Sequence, residues 1–529
     1  MTATDPRDLR GAAAWEEAIG ELERRRAWAH AGSGPERAAR EHERGRNTAR
    51  ERIALLVDEG SFHEYGTLVT TPSPTAGEDD LPTTFVCGLA RIDGRPVAIG
   101  AEDFTIQGGG AGVHLSRFKG AFGGFLEELA HDYRVPLVLL LHGVGGSVTI
   151  QERKGYPTLV STMPSFPVFD LLDRVPVVAA VMGPAAGASG ARAAISHFSV
   201  MSSAHGCLFA GGPPVVRQAT GQVVDKLELG GAQVHARVSG VVDNVAADED
   251  EIFTQVRRFL SYLPRNVWEL PPRVAADDPP DRRVDEVLDI VHPSERRVYD
   301  PVALVEAIVD RGSFFELAPD YGSSLRVGLG RLDGHTVGIL ASDPRSLAGA
   351  MDGPAADKQT RFADFFDAFH LPIVYFADVP GFMIGSDAER SGILRRGSRA
   401  VQAIQRAQVP VITIQVRRSY GLAGQGTGNM KGHSIRLAWP SGSWGDMPMG
   451  GGIEAEYGDV IAAAEDPAAK RREIEEMFAA QSSMWRTVEY FGVEEVIDPR
   501  ETRAALTHLV GLAAGAIEPG RKHGPQVRP

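Results

Sequence analysis

The chain has 529 residues, of which 43% are hydrophobic and 23% charged, and its formal net charge is −14. This length exceeds what one hydrophobic core supports, and the acidic balance argues against a general nucleic-acid-binding role, because phosphate recognition favours a basic surface. Only Cys87 and Cys207 are present, which excludes a disulfide framework and a cysteine-based zinc site. The polar first residues and the short apolar runs predict a cytoplasmic enzyme without a signal peptide or a membrane span.

Composition predicts five segments in chain order. Residues 1–45 are rich in Ala, Glu and Arg, and we expect a helical extension that is either solvated or packed on a partner subunit. Residues 46–265 and 301–517 are predicted to be two domains. A Pro-rich, charged linker at residues 266–300 separates them, and residues 518–529 form a polar tail.

A long internal repeat predicts that the two domains share one fold. Four blocks recur in the same order, at offsets that fall from 252 to 234 residues. The period is too long for a solenoid, whose units span about 20–50 residues. Any active site is therefore expected to need both domains or a dimer that joins them. The matched blocks are Glu59–Phe62 with Arg311–Phe314, Gly88–Val97 with Gly328–Val337, Val135–Leu139 with Leu371–Tyr375, and Val175–Val178 with Val409–Ile412.

Within each domain, short apolar strands alternate with amphipathic stretches such as Arg117–His131 and Lys358–His370. Continuous apolar strands between helices are typical of a parallel sheet that is buried on both faces, so the fold class is predicted to be α/β.

Two glycine-rich corners follow matched strands, at Met182–Gly190 and Arg418–Gly426. Small residues where a buried strand turns into a helix leave backbone N–H groups unpaired at the positive end of the helix dipole. Such a corner can hold a phosphate or the oxygen of an enolate. The structural alternative is close packing of helix on strand, which a single corner would favour. Two corners at equivalent positions favour a functional role.

The sequence contains no Gly-x-Ser-x-Gly elbow, no His-Glu-x-x-His and no Walker A motif. His142 and His205 lie near the glycine-rich segments, where a lone histidine is more often a packed residue. The chemistry is therefore expected to depend on backbone amides and on a group brought in from outside.

Several further segments together resemble one known family, from about residue 45 to residue 515. That family is the carboxyltransferase (β) subunit of the biotin-dependent acyl-CoA carboxylases, which includes the propionyl-CoA and methylcrotonyl-CoA carboxylases. The segments that carry the resemblance are Thr48–Ile53, Asp58–Phe62, Glu102–Thr105, Gly108–Gly110, Phe209–Pro213, Leu227–Ala232, His235, Ser239–Val241, Ala377–Phe382 and Ala438–Pro440.

The resemblance implies a tandem duplication of two crotonase-like domains, each a spiral of ββα turns. It implies head-to-tail dimers, assembled as hexamers, with each site between one N-terminal domain and the partner's C-terminal domain. Carboxybiotin would arrive in trans on a biotin carboxylase or biotin carboxyl carrier α subunit, and a coenzyme A thioester would be the substrate. The resemblance implies that this chain holds no metal and has neither a nucleic acid nor a membrane as a partner.

In such enzymes carboxybiotin releases CO2, its ureido nitrogen takes the α-proton of the acyl-CoA, and the enolate attacks CO2. By resemblance, backbone N–H groups of Gly187 and Ala188 form one oxyanion hole, and those of Leu422 and Ala423, after Gly421, form the other. Which hole serves which ligand stays open. The residues implied for coenzyme A are Gly108, Gly109, Gly110, Arg117, Lys119, Gly145 and Gly146. Those implied on the biotin side are Pro380, Gly381, Phe382, Tyr420, Gly424 and Gln425.

The chain departs from the family pattern at both corners and in one loop. Gly187–Ala188 stands where Gly-Gly is typical, and Leu422–Ala423 stands where Gly-Ala is typical. The loop His142–Val148, which includes Ser147, replaces Asp-Ser-Gly-Gly-Ala-Arg, and an aspartate that tunes substrate choice is replaced near Gln425.

These departures leave the acyl group undecided and keep other functions open. The alternatives are a carboxyacyl-CoA decarboxylase on the same scaffold and a non-catalytic scaffold subunit. A hydratase or hydrolase is the weakest alternative, because neither corner is followed by a carboxylate pair that could activate water.

Overall fold

The computed structural model describes residues 12–71, 73, 79–109, 124–145, 156–157, 168–481 and 483–522. The chain divides into two compact units. Unit 1 comprises residues 1–235 and 245–257, and unit 2 comprises residues 236–244 and 258–529. Within the described ranges, no helix is both long and apolar enough to cross a bilayer. The five segment boundaries predicted from composition stay predictions.

The first half of the chain contains a seven-stranded sheet in the order β1-β4-β5-β6-β7-β9-β11, with two short additional pairs, β2–β3 and β8–β10. Its strands are β1 His63–Tyr65, β2 Thr70–Thr71, β3 Leu81–Pro82, β4 Phe85–Ile92, β5 Arg95–Glu102, β6 Leu137–Leu141, β7 Val177–Val181, β8 Pro184–Ala186, β9 Phe198–Ser202, β10 Cys207–Phe209 and β11 Asn244–Ala246. Its helices are α1 Ala12–Ala31, α2 Pro35–His42, α3 Ala49–Leu56, α4 Phe125–Tyr133, α5 Ala188–Ala194, α6 Pro213–Thr220, α7 Lys226–Gly230, α8 Ala232–His235 and α9 Glu249–Ser261.

The second half repeats this architecture in a sheet of the order β12-β13-β14-β15-β16-β17-β19, with β18 paired to the end of β16. Its strands are β12 Phe315–Leu317, β13 Leu325–Leu332, β14 His335–Ser342, β15 Ile373–Val379, β16 Val411–Tyr420, β17 Ser434–Ala438, β18 Ser443–Gly445 and β19 Glu495–Val496. Its helices are α10 Val287–Ile290, α11 Pro301–Ile308, α12 Gly353–Ala368, α13 Ser386–Arg390, α14 Ile393–Arg406, α15 Gly421–Gln425, α16 Met449–Ala462, α17 Pro467–Gln481, α18 Met484–Glu489 and α19 Thr502–Ala516. Single 3₁₀ turns lie at Gln107–Gly109, Val168–Asp173, Leu347–Gly349 and Pro499–Glu501.

The repeated block of the sequence is an antiparallel hairpin in each half, so the sheets are mixed rather than wholly parallel. A two-residue Asp-Gly turn produces the hairpin of the first half: Asp93 and Gly94 have φ of 49° and 76°, the left-handed conformation that such turns require. The Asp58 carboxylate accepts the N–H groups of both turn residues, at 2.9 and 2.7 Å. The second half repeats these positions at Asp310, Asp333 and Gly334.

The central strands β6, β7 and β15 are parallel to their neighbours and buried along their whole length, as predicted for both domains. Helix α12 begins at Gly353 rather than at the predicted Lys358, because the Asp352 side chain accepts the Ala355 N–H and Pro354 favours the first helical turn. Helix α4 ends at Tyr133, and the residue that follows it, Arg134, adopts the left-handed conformation. The part of the predicted Arg117–His131 helix before residue 124 lies outside the described residues.

The core of unit 2 includes residues from the segment predicted as a linker. Val284, Val287 and Val291 are buried in one apolar cluster with residues of α11, β14 and β16. In the N-terminal extension, α1 exposes Trp15 and Trp28, whereas Ala29 is buried.

Candidate active site

The first corner lies in unit 1, where β8 leads into α5. Strand β8 pairs in parallel with β10, and Gly187 follows it with φ 60° and ψ −122°, a conformation that favours glycine. The Gly187 N–H donates to Phe209 O at 3.1 Å. The Ala188 N–H, at the first position of the helix, has no acceptor among the described residues. Of the two amides predicted for this hole, only that of Gly187 is bonded to a described residue.

Three glycines predicted to bind coenzyme A are brought to this corner. The Val144 N–H donates to Gly108 O at 2.9 Å, which ties the turn after β5 to the loop after β6. A Cβ atom on Gly109 would lie 2.3 Å from His142 O, and one on Gly145 would lie 2.6 Å from Ala186 O. Only glycine allows these backbones to approach so closely. The remaining residues predicted to bind coenzyme A, Gly110, Arg117, Lys119 and Gly146, lie outside the described residues, as does Ser147 of the atypical loop.

A buried carboxylate lies beneath this corner. Oε2 of Glu102, the last residue of β5, accepts the His142 N–H and the Ser189 hydroxyl, each at 2.7 Å. Burial raises the pKa of Glu102, while the charge of Arg192, whose Nη1 lies 4.0 Å away, and the two hydrogen bonds oppose that rise. Glu102 thus connects the loop after β6 with the start of α5.

His142 is held as a neutral, buried ring. Nη1 of Arg52 lies 3.1 Å from Nδ1 of His142, and because a guanidinium only donates, Nδ1 is the acceptor and Nε2 carries the proton. Burial, and secondarily the Arg52 charge, hold the pKa of His142 well below its usual value. The ring stacks on Phe104 with centroids 4.2 Å apart. His142 is therefore positioned as a packed residue rather than as a proton carrier.

The second corner lies in unit 2, where β16 leads into α15. The end of β16 pairs in parallel with β18, as β8 pairs with β10 in unit 1. Gly421 has φ 60°, the same value as Gly187. Counted from these glycines, Leu422 is equivalent to Ala188, and the predicted pair Leu422–Ala423 lies one residue further along. Leu422 is 45% exposed, whereas Ala423 is buried.

The residues predicted for the biotin side leave neighbouring strands at the same edge. Strands β15 and β16 are parallel with Val379 opposite Ser419, so Pro380–Phe382 and Tyr420 continue from adjacent strand ends. Gly381 O accepts the Met351 N–H at 3.0 Å. Gly424 is half-buried, and a Cβ atom there would lie 2.8 Å from the Ser419 side chain. The exposed Gln425 donates to the Met430 sulfur at 3.4 Å.

A buried carboxylate also supports the second corner. Oδ2 of Asp378 accepts Nε and Nη2 of Arg417 at 3.0 and 2.6 Å. Oδ1 accepts Nε and the backbone N–H of Arg418 at 2.7 and 3.2 Å. Both carboxylates lie in segments that carry the family resemblance, Glu102–Thr105 and Ala377–Phe382, but the sequence alone did not assign a role to either of them. The available signal was a carboxylate at the end of an otherwise apolar strand, where an ionised group needs partners.

The two corners can perform the same kind of chemistry. Each places amides of a helix start beside a glycine in the left-handed conformation, and such amides stabilise an oxygen that acquires negative charge. A duplicated α/β fold with one such corner in each unit is the arrangement expected of a crotonase-like acyl-CoA enzyme that binds two carbonyl groups.

Comparison with known proteins identifies the family. Residues 40–524 match the carboxyl transferase domain, and the chain belongs to that family. The chain is 35% identical over 519 residues to the propionyl-CoA carboxylase carboxyltransferase subunit of Haloferax mediterranei, covering 96% of this chain and 99% of that protein. It is 32% identical over 522 residues to methylmalonyl-CoA decarboxylase subunit alpha of Veillonella parvula, covering 96% and 98%.

A solved structure of transcarboxylase 12S, a hexamer with methylmalonyl-coenzyme A and methylmalonic acid bound, shares the fold. The TM-score is 0.85 at 30% identity, and the match covers 98% of this chain and 100% of that chain. The resemblance found in the sequence motifs and the predicted tandem pair of crotonase-like domains are both confirmed.

Proposed function

We propose that the chain is the carboxyltransferase subunit of a biotin-dependent acyl-CoA carboxylase. It transfers a carboxyl group to the α-carbon of an acyl-CoA, and the pair of equivalent amide corners is the observation that carries this proposal. One corner would hold the thioester oxygen of the acyl-CoA, and the other would hold the carbonyl of the biotin ring. Both ligands present a carbonyl oxygen, which suits corners that offer backbone N–H groups.

The chain's own residues would bind and orient the reactants. The Ala188 amide in unit 1 and the Leu422 and Ala423 amides in unit 2 would stabilise oxygens that gain negative charge as the α-proton leaves. Biotin, when bound, brings the activated carboxyl group and a ureido nitrogen that serves as the base. A ligand that supplies its own base fits unit 1, where the polar groups next to the corner, Glu102 and Ser189, are bonded to each other at 2.7 Å.

The coenzyme A side is proposed to include Gly108, Gly109 and Gly145, whose lack of a side chain lets backbone segments meet at the first corner. Arg117 and Lys119 are proposed to contact the phosphates of the nucleotide, because their cationic side chains suit phosphate oxygens. The biotin side is proposed to include Pro380–Phe382, Tyr420, Gly424 and Gln425.

The proposed substrate is propionyl-CoA, with methylmalonyl-CoA as product. The names of the carboxylase relative and of the ligand in the transcarboxylase 12S structure support this choice. We further propose a hexamer that works with a separate biotin-bearing subunit in the cytoplasm. The decarboxylase alternative is not favoured, because the carboxylase relative is the more identical of the two, 35% against 32%, at equal coverage of this chain.

The reverse reaction tests the proposal with this chain alone. Purified protein is incubated with malonyl-, methylmalonyl- and longer carboxyacyl-CoAs, with and without free biotin, and loss of the carboxylate is followed. We expect loss that requires biotin and is fastest with methylmalonyl-CoA. Loss without biotin would support the decarboxylase, and no loss with any ester would contradict the enzymatic proposal and favour a scaffold subunit.

A further inference from the structure

We propose that Glu102 is the positioning residue of the first corner, and this proposal rests on the function proposed above. One oxygen of its carboxylate bonds to the two segments that meet there. Oε2 accepts the hydroxyl of Ser189, the residue after Ala188, and the N–H of His142, the residue before the Gly143–Gly145 loop, both at 2.7 Å. Glu102 thereby sets the distance between the loop and the start of α5, and with it the direction of the Ala188 N–H.

The backbone is shaped around this carboxylate. A Cβ atom on Gly143 would lie 2.8 Å from Oε2 of Glu102, so the loop can pass at this distance only with glycine at that position. The same Gly143 accepts the Ala186 N–H at 2.9 Å through its carbonyl oxygen. The loop that Glu102 holds is therefore bonded directly to β8, the strand that precedes Gly187.

Burial and charge favour a specific role for this side chain. Glu102 is 7% exposed, and its ion pair with Arg192 is long, at 4.0 Å, whereas Arg192 donates hydrogen bonds to Glu127. A buried carboxylate whose ion pair is this long is costly unless hydrogen bonds compensate for it. Two donors on one oxygen provide that compensation, and both belong to the corner.

The internal repeat supports the inference independently. Ala101 lies opposite Leu140 in unit 1, and Ala341 lies opposite Phe376 in unit 2. One residue after Ala101 and Ala341, Glu102 is equivalent to Ser342. Two residues after Leu140 and Phe376, His142 is equivalent to Asp378. Each unit therefore has a buried carboxylate bonded to its corner or to the strand leading into it, Glu102 on the first of two adjacent strands in unit 1 and Asp378 on the second in unit 2. The second unit bonds its Asp378 to the Arg418 N–H in β16, three residues before Gly421.

A kinetic comparison of single variants tests the role. Glu102→Ala removes both bonds, and we expect kcat of the biotin-dependent reaction to fall about 10- to 100-fold while KM for the CoA ester changes less than about threefold, because the oxyanion contact acts in the transition state. Glu102→Gln keeps an oxygen acceptor and is expected to recover most of the loss. Ser189→Ala removes one bond and should lower kcat severalfold, and adding it to Glu102→Ala should cause no further loss.

The matched control is Glu127→Ala, which also removes a buried glutamate beside Arg192 but one that is bonded to Arg192 rather than to the corner. We expect a fall in melting temperature at least as large as that of Glu102→Ala, because a buried ion pair is broken, but with kcat retained. Equal losses of kcat in the two variants, a rise in KM alone, or additive effects of Glu102→Ala and Ser189→Ala would overturn the proposal. If Glu102→Ala does not fold, wild-type kcat in Ser189→Ala would overturn it. Absence of activity in the wild-type protein would instead contradict the proposed function.

Discussion

Unit 1 and unit 2 build their corners with the same backbone and different charges. Gly187 and Gly421 share φ 60°, and a short parallel pair of strands precedes each of them. The supporting carboxylate is Glu102 on one strand in unit 1 and Asp378 on the neighbouring strand in unit 2. The comparison teaches that the strand-to-helix geometry constrains the glycine strictly, whereas the charge beneath it can come from either adjacent strand.

The two carboxylates differ most in their ion pairing, and this difference gives the largest expected effect. Asp378 is fully buried against two arginines, so Asp378→Asn leaves buried cations without a counter-charge and should lower the free energy of unfolding by about 3–5 kcal/mol. Glu102→Gln loses only the long, 4.0 Å ion pair with Arg192 and should lower the free energy of unfolding by about 1 kcal/mol or less. Urea denaturation of both variants measures the contrast, and equal losses would contradict it.

The shared glycines provide the next test. Gly187→Ala and Gly421→Ala each force a side chain into the left-handed region, which costs about 1–3 kcal/mol or shifts the amide that follows. Because displaced oxyanion donors cost about 10²–10³ in kcat, we expect kcat to fall by that factor in both variants.

The space around the two glycines predicts a different loss of stability for the two substitutions. A Cβ atom on Gly187 meets no atom within 4 Å, whereas one on Gly421 lies 3.1 Å from Asp446 O, so Gly421→Ala should lose more stability. Melting temperatures check this order, and normal kcat in either variant would exclude that corner from the reaction.

Much of this arrangement could be predicted from the sequence, but the carboxylates could not. The small residues after β7 and after β16 marked both corners, whereas the Asp-Gly turn at Asp93–Gly94 is a hairpin signal from which no hairpin was predicted. Glu102 meets Ser189 and His142 across 87 and 40 residues, and sheet order rather than local pattern brings them together. The bond from Gly187 to Phe209 likewise depends on a strand pair that no local motif announces.

The units should also respond differently to acid. Burial raises the pKa of Glu102, so the folded state holds its proton more tightly, and unit 1 should lose stability as pH rises from about 4.3 through that raised pKa. Burial would raise the pKa of Asp343, but hydrogen bonds from Arg345 and Arg326 together lower it, so the stability that Asp343 contributes to unit 2 is present above about pH 3.9 and is lost as pH falls through that lowered pKa.

Hydrogen exchange followed by mass spectrometry, corrected for intrinsic rates, can follow peptides of β5 and β14 separately. We expect protection in β5 to increase from pH 7 to about pH 4.5 and this increase to shrink in Glu102→Gln. Protection in β14 should stay level over that range. Parallel pH dependence in the two strands would show that the carboxylates do not act separately.

The smallest expected effect concerns the residue after the corner glycine, which differs between the two units. Leu422 stands where unit 1 has Ala188, and both side chains are exposed, so Leu422→Ala should change the free energy of unfolding by less than about 0.5 kcal/mol. The amide is kept, so kcat should stay within about twofold. If the leucine side chain narrows the entry of the acyl group, kcat/KM for longer acyl-CoAs should rise by up to about tenfold relative to propionyl-CoA. Unchanged selectivity would mean that the Leu422 side chain does not limit which acyl groups enter. Another part of the chain would then set the acyl preference.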